Sequence, residues 1–240
     1  MTKFYSEIAK YYDDIFPIGS KQLRLISESA GLPPKDILDV ACGSGGYSIG
    51  LSDMGYTITA IDLDENMIRN LNNKNKNINA QVLNMLNIHE LSGTFYLIFC
   101  IGNSLVHLEH LQEIGQFLTS SKKKLRIGGK LILQLINFER ILEKEIKSLP
   151  TITNEEKHLR FERFYNYLPH HHKVDFMTVL TLDGEVYENH VPLFPIISAE
   201  LIALLSSSGF TTVELYGSFN KDPYEPLESS ALIIVAGDLQ

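Results

Sequence analysis

The run "DVACGSGGYS", residues 39–48, sets an acid ahead of small residues and glycines, and Asp62 follows nineteen positions after Gly43. Glycines let a backbone turn tightly and approach a ligand closely. An acid about 20 positions further on, at the end of the next strand, is placed to grip a ribose diol. Together these residues point to a nucleoside-bearing ligand. A dinucleotide calls for Gly-x-Gly-x-x-Gly, whose third glycine brings the helix close behind the pyrophosphate. Ser48 stands at that third position. An adenosyl ligand without phosphate tolerates the change better than a nicotinamide dinucleotide does.

Other reactive side chains are scattered. His107 and His190 are candidate bases facing an acceptor. Tyr5, Tyr11 and Tyr12 are aromatic candidates for meeting a cationic group. His170, His171 and His172 are consecutive. Consecutive strand residues point to alternate faces, so the three do not converge on one ion, and no metal site is expected. Cys42 and Cys100 form no Cys-x-x-Cys pair, which removes a thiolate zinc site and a disulfide scaffold.

The elements that must position these residues follow a regular order. Strands are expected at 36–41, 56–63, 78–85, 95–104 and 130–137. Between them fall helices at 45–55, at 64–74 with Asp64 as N-cap, and at 110–125. The fourth strand is the most apolar and should be central. Such alternation predicts an α/β fold with a doubly wound, mostly parallel sheet. From about 158 to 194 the pattern changes to alternating strand segments with a hairpin at Asp183-Gly184. A helix over "SAELIALLSSSGF" follows, closed by Gly209. "TTVELYGSF" and "SSALIIVAGD" leave too few residues between them for a crossover, so the sheet should end in an antiparallel hairpin.

The chain has 240 residues, 44% of them hydrophobic, which suffices for one buried core. A formal net charge of −8 disfavours a nucleic-acid partner. The basic cluster Lys122–Arg126 reads as the solvated end of a surface helix. No apolar run approaches a membrane span and no signal peptide is evident, so a soluble cytoplasmic protein is expected. Oligomeric state is left open.

"ILDVACGSGGYSIGLSDMGYTITAIDLDENMI", continued by "LNMLNI", "FYLIFCIGNSLVHL" and "GGKLILQLIN", resembles the class I S-adenosylmethionine-dependent methyltransferases, with their Rossmann-like fold, over nearly the whole chain. Within that class, "IGNSLVHL", "INFERIL" and "GSFNKDPYEP" are similar to glycine N-methyltransferase and related small-molecule amine enzymes. The resemblance implies S-adenosyl-L-methionine as cofactor and direct displacement of its methyl group by a small-molecule acceptor, an amine nitrogen being the accepting atom if the likeness to the glycine N-methyltransferase type extends to the substrate.

It also implies residue roles. Asp39 would brace the glycine loop, while Ala41, Gly43 and Gly45 line the methionyl side. Asp62 would bind the ribose and Leu63 the adenine face, with Asn84 and Met85 at the adenine edge. Asn84 departs from the acid commoner at that position. Ile101, Gly102, Asn103, Ser104 and His107 would form the floor where the methyl group is presented, with Asn103 and His107 the catalytic candidates. Tyr12 would close over the cofactor and Lys21 meet its carboxylate. Residues 138–196 would be an inserted antiparallel lid within a single 1–240 methyltransferase domain. In or near the lid lie Asn137, Arg140, Arg160, Arg163, Tyr165 and Tyr167, an arginine being suited to a substrate carboxylate. The acidic surface, "GNSL" where nucleic-acid amino-methylases carry Pro-Pro-aromatic, and the absence of a Cys after proline favour a small acceptor. Two rival readings remain: a non-catalytic binder of the same cofactor, and a nicotinamide-dependent oxidoreductase.

Overall fold

The structure, a computed structural model, describes residues 11–239; Tyr5 lies outside them. Helical residues 11–15 lead into α1 (Ser20–Ala30). Then come β1 (Asp36–Val40), α2 (Gly46–Asp53), β2 (Thr57–Asp62), α3 (Glu65–Lys74), β3 (Asn79–Val82), β4 (Phe95–Cys100), α4 (Leu111–Lys124) and β5 (Leu125–Ile136). β10 (Thr212–Tyr216) and β11 (Ala231–Gly237) complete a seven-stranded sheet in the order β10-β11-β5-β4-β1-β2-β3. β1 to β5 run parallel, and β11 is antiparallel to both β5 and β10. β4 is central, as its unbroken apolar run requires: Leu97, Ile98, Phe99 and Cys100 are fully buried.

Local chemistry accounts for the punctuation. Asp64 caps α3 by accepting from Asn66 N at 2.7 Å, a contact worth about 1 kcal/mol. α6 (Ser198–Ser207) begins where Glu200 accepts from Ile197 N, and Gly209 follows its end at φ 93°. β5 starts at Leu125, earlier than the Gly128-Gly129 turn expected from sequence, because the glycines are accommodated by a register shift against β4. The basic cluster at this junction is structural: Lys122 pairs with Asp238, Lys124 donates to Leu91 O, and Arg126 meets Asp36 at 2.7 Å.

Between β5 and α6 the chain builds α5 (Phe138–Glu143) and a second, antiparallel sheet. Its strands β6 (Ser148–Asn154), β7 (Leu159–Leu168), β8 (Lys173–Leu182) and β9 (Glu185–Leu193) lie in sequence order. β8 and β9 join through Asp183 and Gly184, both at positive φ (48° and 86°), the geometry that matches strand twist. The three histidines sit in the β7–β8 turn, where His172 turns its ring against Phe194, centroids 5.3 Å apart.

One face of this second sheet is apolar at both ends. At one end Leu159, Phe161, Leu180 and Leu182 bury Ile15 and, on α3, Met67. At the other, Tyr165, Val174 and Leu193 join the main core beside Val106 and Ile141. Among the described residues no helix is long and apolar enough to cross a membrane.

Candidate active site

The carboxyl ends of β1, β2 and β4 meet at a loop whose backbone only small residues follow. Ala41, Gly43 and Gly45 all have positive φ, at 58°, 56° and 82°. Gly43 is also closed in space, since a Cβ there would lie 3.0 Å from the Tyr12 ring. The hydroxyl end of the Tyr12 ring therefore lies over Gly43. Burial, together with the nearby Asp62 and Asp39 carboxylates, pushes the Tyr12 phenol above its ordinary value.

Two carboxylates underlie the loop, and they divide its support in a way the sequence did not show. Asp62 Oδ2 accepts from Gly43 N at 2.8 Å and Oδ1 from Asp64 N at 2.9 Å, so the acid ending β2 holds the first glycine. Burial raises its pKa, with those backbone donors working in the other direction. Asp39 instead accepts from Ser48 Oγ at 2.6 Å, and burial pushes its carboxyl up to about 7. Beside Asp62, Leu63 is 69% exposed, and Val82, the partner of Asp62 on β3, is 50% exposed, so apolar side chains stand bare at this end of the sheet. Asn84 begins the next turn, its Oδ1 accepting from Leu86 N at 2.9 Å, and Met85 packs on the core.

The loop after β4 forms the opposite bank. Ile101 is buried, and Gly102 (φ 82°) has open space where a side chain would stand. Gly102 N donates to Gln134 Oε1 at 2.7 Å; Gln134 is a site residue that sequence reasoning missed. Asn103 takes a left-handed conformation (φ 69°), and its Oδ1 accepts from Ile136 N at 2.9 Å. Its side-chain oxygen is thus committed to holding this loop against β5. Ser104 Oγ reaches Ile101 O at 3.4 Å. His107 is exposed, yet enough protein surrounds its ring for desolvation to lower its pKa, which favours the neutral imidazole.

The residues preceding α1 tie the two sheets together. Asp13 accepts from Lys74 Nζ at 2.5 Å and from Ser44 Oγ of the glycine loop. Burial opposes its ionisation, but these two donors outweigh that and lower its pKa. Asp14 accepts from Lys157 Nζ at 2.6 Å, and Phe16 meets Phe161 of β7 edge-on, centroids 5.7 Å apart. Lys21, in the first turn of α1, is exposed and is not tied to the loop among the described residues.

The other candidates separate by face. Asn137 is buried, and its amide donates to Pro226 O at 2.7 Å and Ser229 O at 2.8 Å, fastening the β10–β11 connection. Arg140 lies on α5, and Arg160 pairs with Glu162 at 2.6 Å on the outer face of the second sheet. His190 is also on that outer face, held at 2.9 Å by both Glu188 and Asp175, whose hydrogen bonds raise its pKa; it does not face the strand ends. Tyr167 contacts His172 at 3.3 Å. Arg163, by contrast, shares the inner face with Phe161 and Tyr165.

Comparison with known proteins accords with this geometry. Residues 37–129, which span β1 to the start of β5, match the methyltransferase domain family. The chain is an S-adenosylmethionine-dependent methyltransferase. A glycine/sarcosine N-methyltransferase of Parasynechococcus marenigrum is 25% identical over 224 residues, covering 85% of this chain and 72% of that one. An S-adenosylmethionine-dependent methyltransferase from Clostridium acetobutylicum shares the fold with TM-score 0.81 at 14% identity, over 99% of this chain and 100% of that one. The CcbJ methyltransferase from Streptomyces caelestis has TM-score 0.80 at 18% identity, over 97% and 96%.

This methyltransferase uses S-adenosylmethionine, and its residues fit that cofactor. A Cβ at Gly43 would crowd the covering tyrosine, the Leu63–Val82 edge is bare for a flat apolar ring, and the space above Gly102 is open. The Asp62 carboxylate at the mouth of the loop suits a cationic ligand better than a phosphate-bearing one.

Proposed function

We propose that this methyltransferase acts on a small-molecule acceptor, at an amine nitrogen, with residues 138–196 as the lid that receives it. The observation that carries the reading is the fastening of the second sheet on both sides of the strand ends. Phe161 packs on Phe16, itself against Tyr12, and Phe194 N donates to Val106 O at 2.8 Å, one residue from His107. Fastening on both banks would limit the room for an acceptor between them, which favours a small substrate. The name of the Parasynechococcus marenigrum relative supports nitrogen as the accepting atom.

When bound, the cofactor supplies a methyl group on a sulfonium, already activated towards displacement. The chain's task is therefore orientation and exclusion of water. Asp62 keeps carboxylate lone pairs for the ribose hydroxyls beyond those used by Gly43 and Asp64, and Leu63 supplies an apolar face for the adenine, with Asn84 and Met85 at its edge. Ala41, Gly43 and Gly45 border the methionyl side, with Lys21 for its carboxylate. Ile101 to Ser104 form the floor. His107, whose neutral form desolvation favours, takes a proton from an acceptor that arrives as an ammonium ion.

Titration calorimetry with S-adenosylhomocysteine, with NAD as comparison, tests the cofactor site. A screen of amines and amino acids followed by mass spectrometry tests the acceptor. Binding of the adenosyl ligand together with transfer to an amine is the expected result. Transfer only to hydroxyl or carbon acceptors would overturn the assignment to nitrogen.

A further inference from the structure

A cavity of about 160 Å³ lies between α5 and the second sheet. One wall comes from α5 and the link that follows it, through Ile141, Leu142 and Ile146. The other comes from β7 and β8, where Tyr165 and Tyr167 alternate onto the face that also carries Val174. No residue of the glycine loop or of the loop after β4 lines it, so its walls are not those of the methyl-transfer site. Glu145 and Lys147, both exposed, mark its mouth. Their opposite charges leave the rim without a net charge, and the interior between the apolar side chains disfavours an ion.

The two tyrosines of the cavity differ. Tyr167 already contacts His172 Nδ1 at 3.3 Å. Tyr165 is 3% exposed, and its ring stacks on Phe176 with centroids 5.2 Å apart. Its buried hydroxyl has no hydrogen-bond partner among the described residues. Burial raises the pKa of this phenol, which keeps it a neutral donor. A buried hydroxyl without a partner is costly, and a molecule that brings an acceptor into the cavity removes that cost. Size narrows the choice further, since an apolar cavity of about 150 Å³ holds a molecule as large as benzene.

The geometry points to a second binding site in this cavity, for a small uncharged molecule about the size of one ring, apolar over most of its surface and carrying one hydrogen-bond acceptor for the Tyr165 hydroxyl. Such a ligand touches α5 on one side and the second sheet on the other, so it fastens the sheet to the main core. The site goes beyond the proposed transfer reaction and does not depend on the identity of the methyl acceptor.

Phenol and toluene test the site, because they have nearly the same shape and only phenol offers an oxygen to Tyr165. Saturation-transfer NMR on the full chain, with S-adenosylhomocysteine present, should show phenol binding. Tyr165→Phe removes the hydroxyl alone and should lower the ratio of phenol to toluene affinity about fivefold. Ile146→Trp fills the cavity from its half-buried side and should abolish binding of both. Leu142→Phe, a smaller filling change, serves should Ile146→Trp fold poorly, and should weaken both ligands. Unchanged S-adenosylhomocysteine affinity shows that each variant is folded. No phenol binding by wild type, an unaltered ratio in Tyr165→Phe, or phenol binding that survives the filling variants overturns the inference.

Discussion

Ser48 Oγ lies 2.6 Å from Asp39 Oδ2, donating to a carboxyl group that is otherwise sealed beneath the cofactor loop. The residue that breaks the dinucleotide glycine pattern is the one that satisfies this buried acid. Burial is the main reason that the Asp39 pKa rises to about 7, and the Ser48 hydrogen bond works against the rise. Ser48→Ala removes the donor and should cost about 1–3 kcal/mol, measured by urea unfolding at neutral pH. A loss indistinguishable from zero would mean that Asp39 finds another donor.

The same acid predicts a pH dependence. Its folded pKa of about 7 lies above the ordinary 3.8, so between those values the folded state holds a proton that the unfolded state has released. Asp39 therefore lowers stability as pH rises through that window, and its contribution is most favourable below it. Asp39→Asn, which mimics the protonated form, should flatten the stability profile between about pH 4 and 7, read from urea midpoints across that range. An unchanged profile would show that Asp39 is not the group responsible.

Gly43 and Tyr12 should behave as a coupled pair. Gly43→Ala places a side chain at φ 56° and 3.0 Å from the ring. The left-handed backbone alone costs about 1–2 kcal/mol, and displacement of the ring adds to it. S-adenosylhomocysteine affinity, measured by calorimetry, should fall. Tyr12→Ala in the Gly43→Ala background should cost less than Tyr12→Ala alone, because the clash is gone. Additive losses would show that the ring yields freely.

Asp62→Ala should weaken cofactor binding severely while the protein stays folded. It removes the acceptor for both Gly43 N and Asp64 N. Calorimetry with S-adenosylhomocysteine, alongside a circular-dichroism melt, separates the two effects. Unchanged affinity would sink the ribose assignment.

An aromatic contact and an ion pair both help to join the residues before α1 to the second sheet, and they should differ in weight. Phe161 is 2% exposed, and its truncation to Ala should cost about 3–5 kcal/mol. Lys157 of the Lys157–Asp14 pair is about half exposed, and Lys157→Ala should cost under about 1 kcal/mol. Thermal and urea unfolding of both variants checks the ranking. A reversal would make the ion pair, not the aromatic contact, the principal fastening.

The sequence by itself determined what depends on neighbours along the chain. Periodicity marked the parallel strands, Asp64 marked a helix start, Asp183-Gly184 a tight hairpin, and the short link before β11 the antiparallel ending. The glycine loop and Asp62 were legible because close backbone approach and a strand-end acid each leave a signature at fixed spacing. β6 was not legible: it is an edge strand with Pro150 and a register shift, so it lacks the alternation that a half-buried strand displays.

Tertiary structure alone decided which side chains meet. Asp39 and Ser48 are brought together by packing of α2 across β1, and Asp62 reaches Gly43 only because β1 and β2 lie side by side. Gln134 reaches Gly102 because β5 pairs with β4. Of the two arginines on β7, strand register turned Arg160 outward to Glu162 and Arg163 inward, and it put His190 on the outer face although Asn189 lies on the inner one. A side chain's face flips with every residue along a strand, so a single step of register, fixed by partners distant in sequence, separates a solvated charge from one turned to the inner face of the sheet.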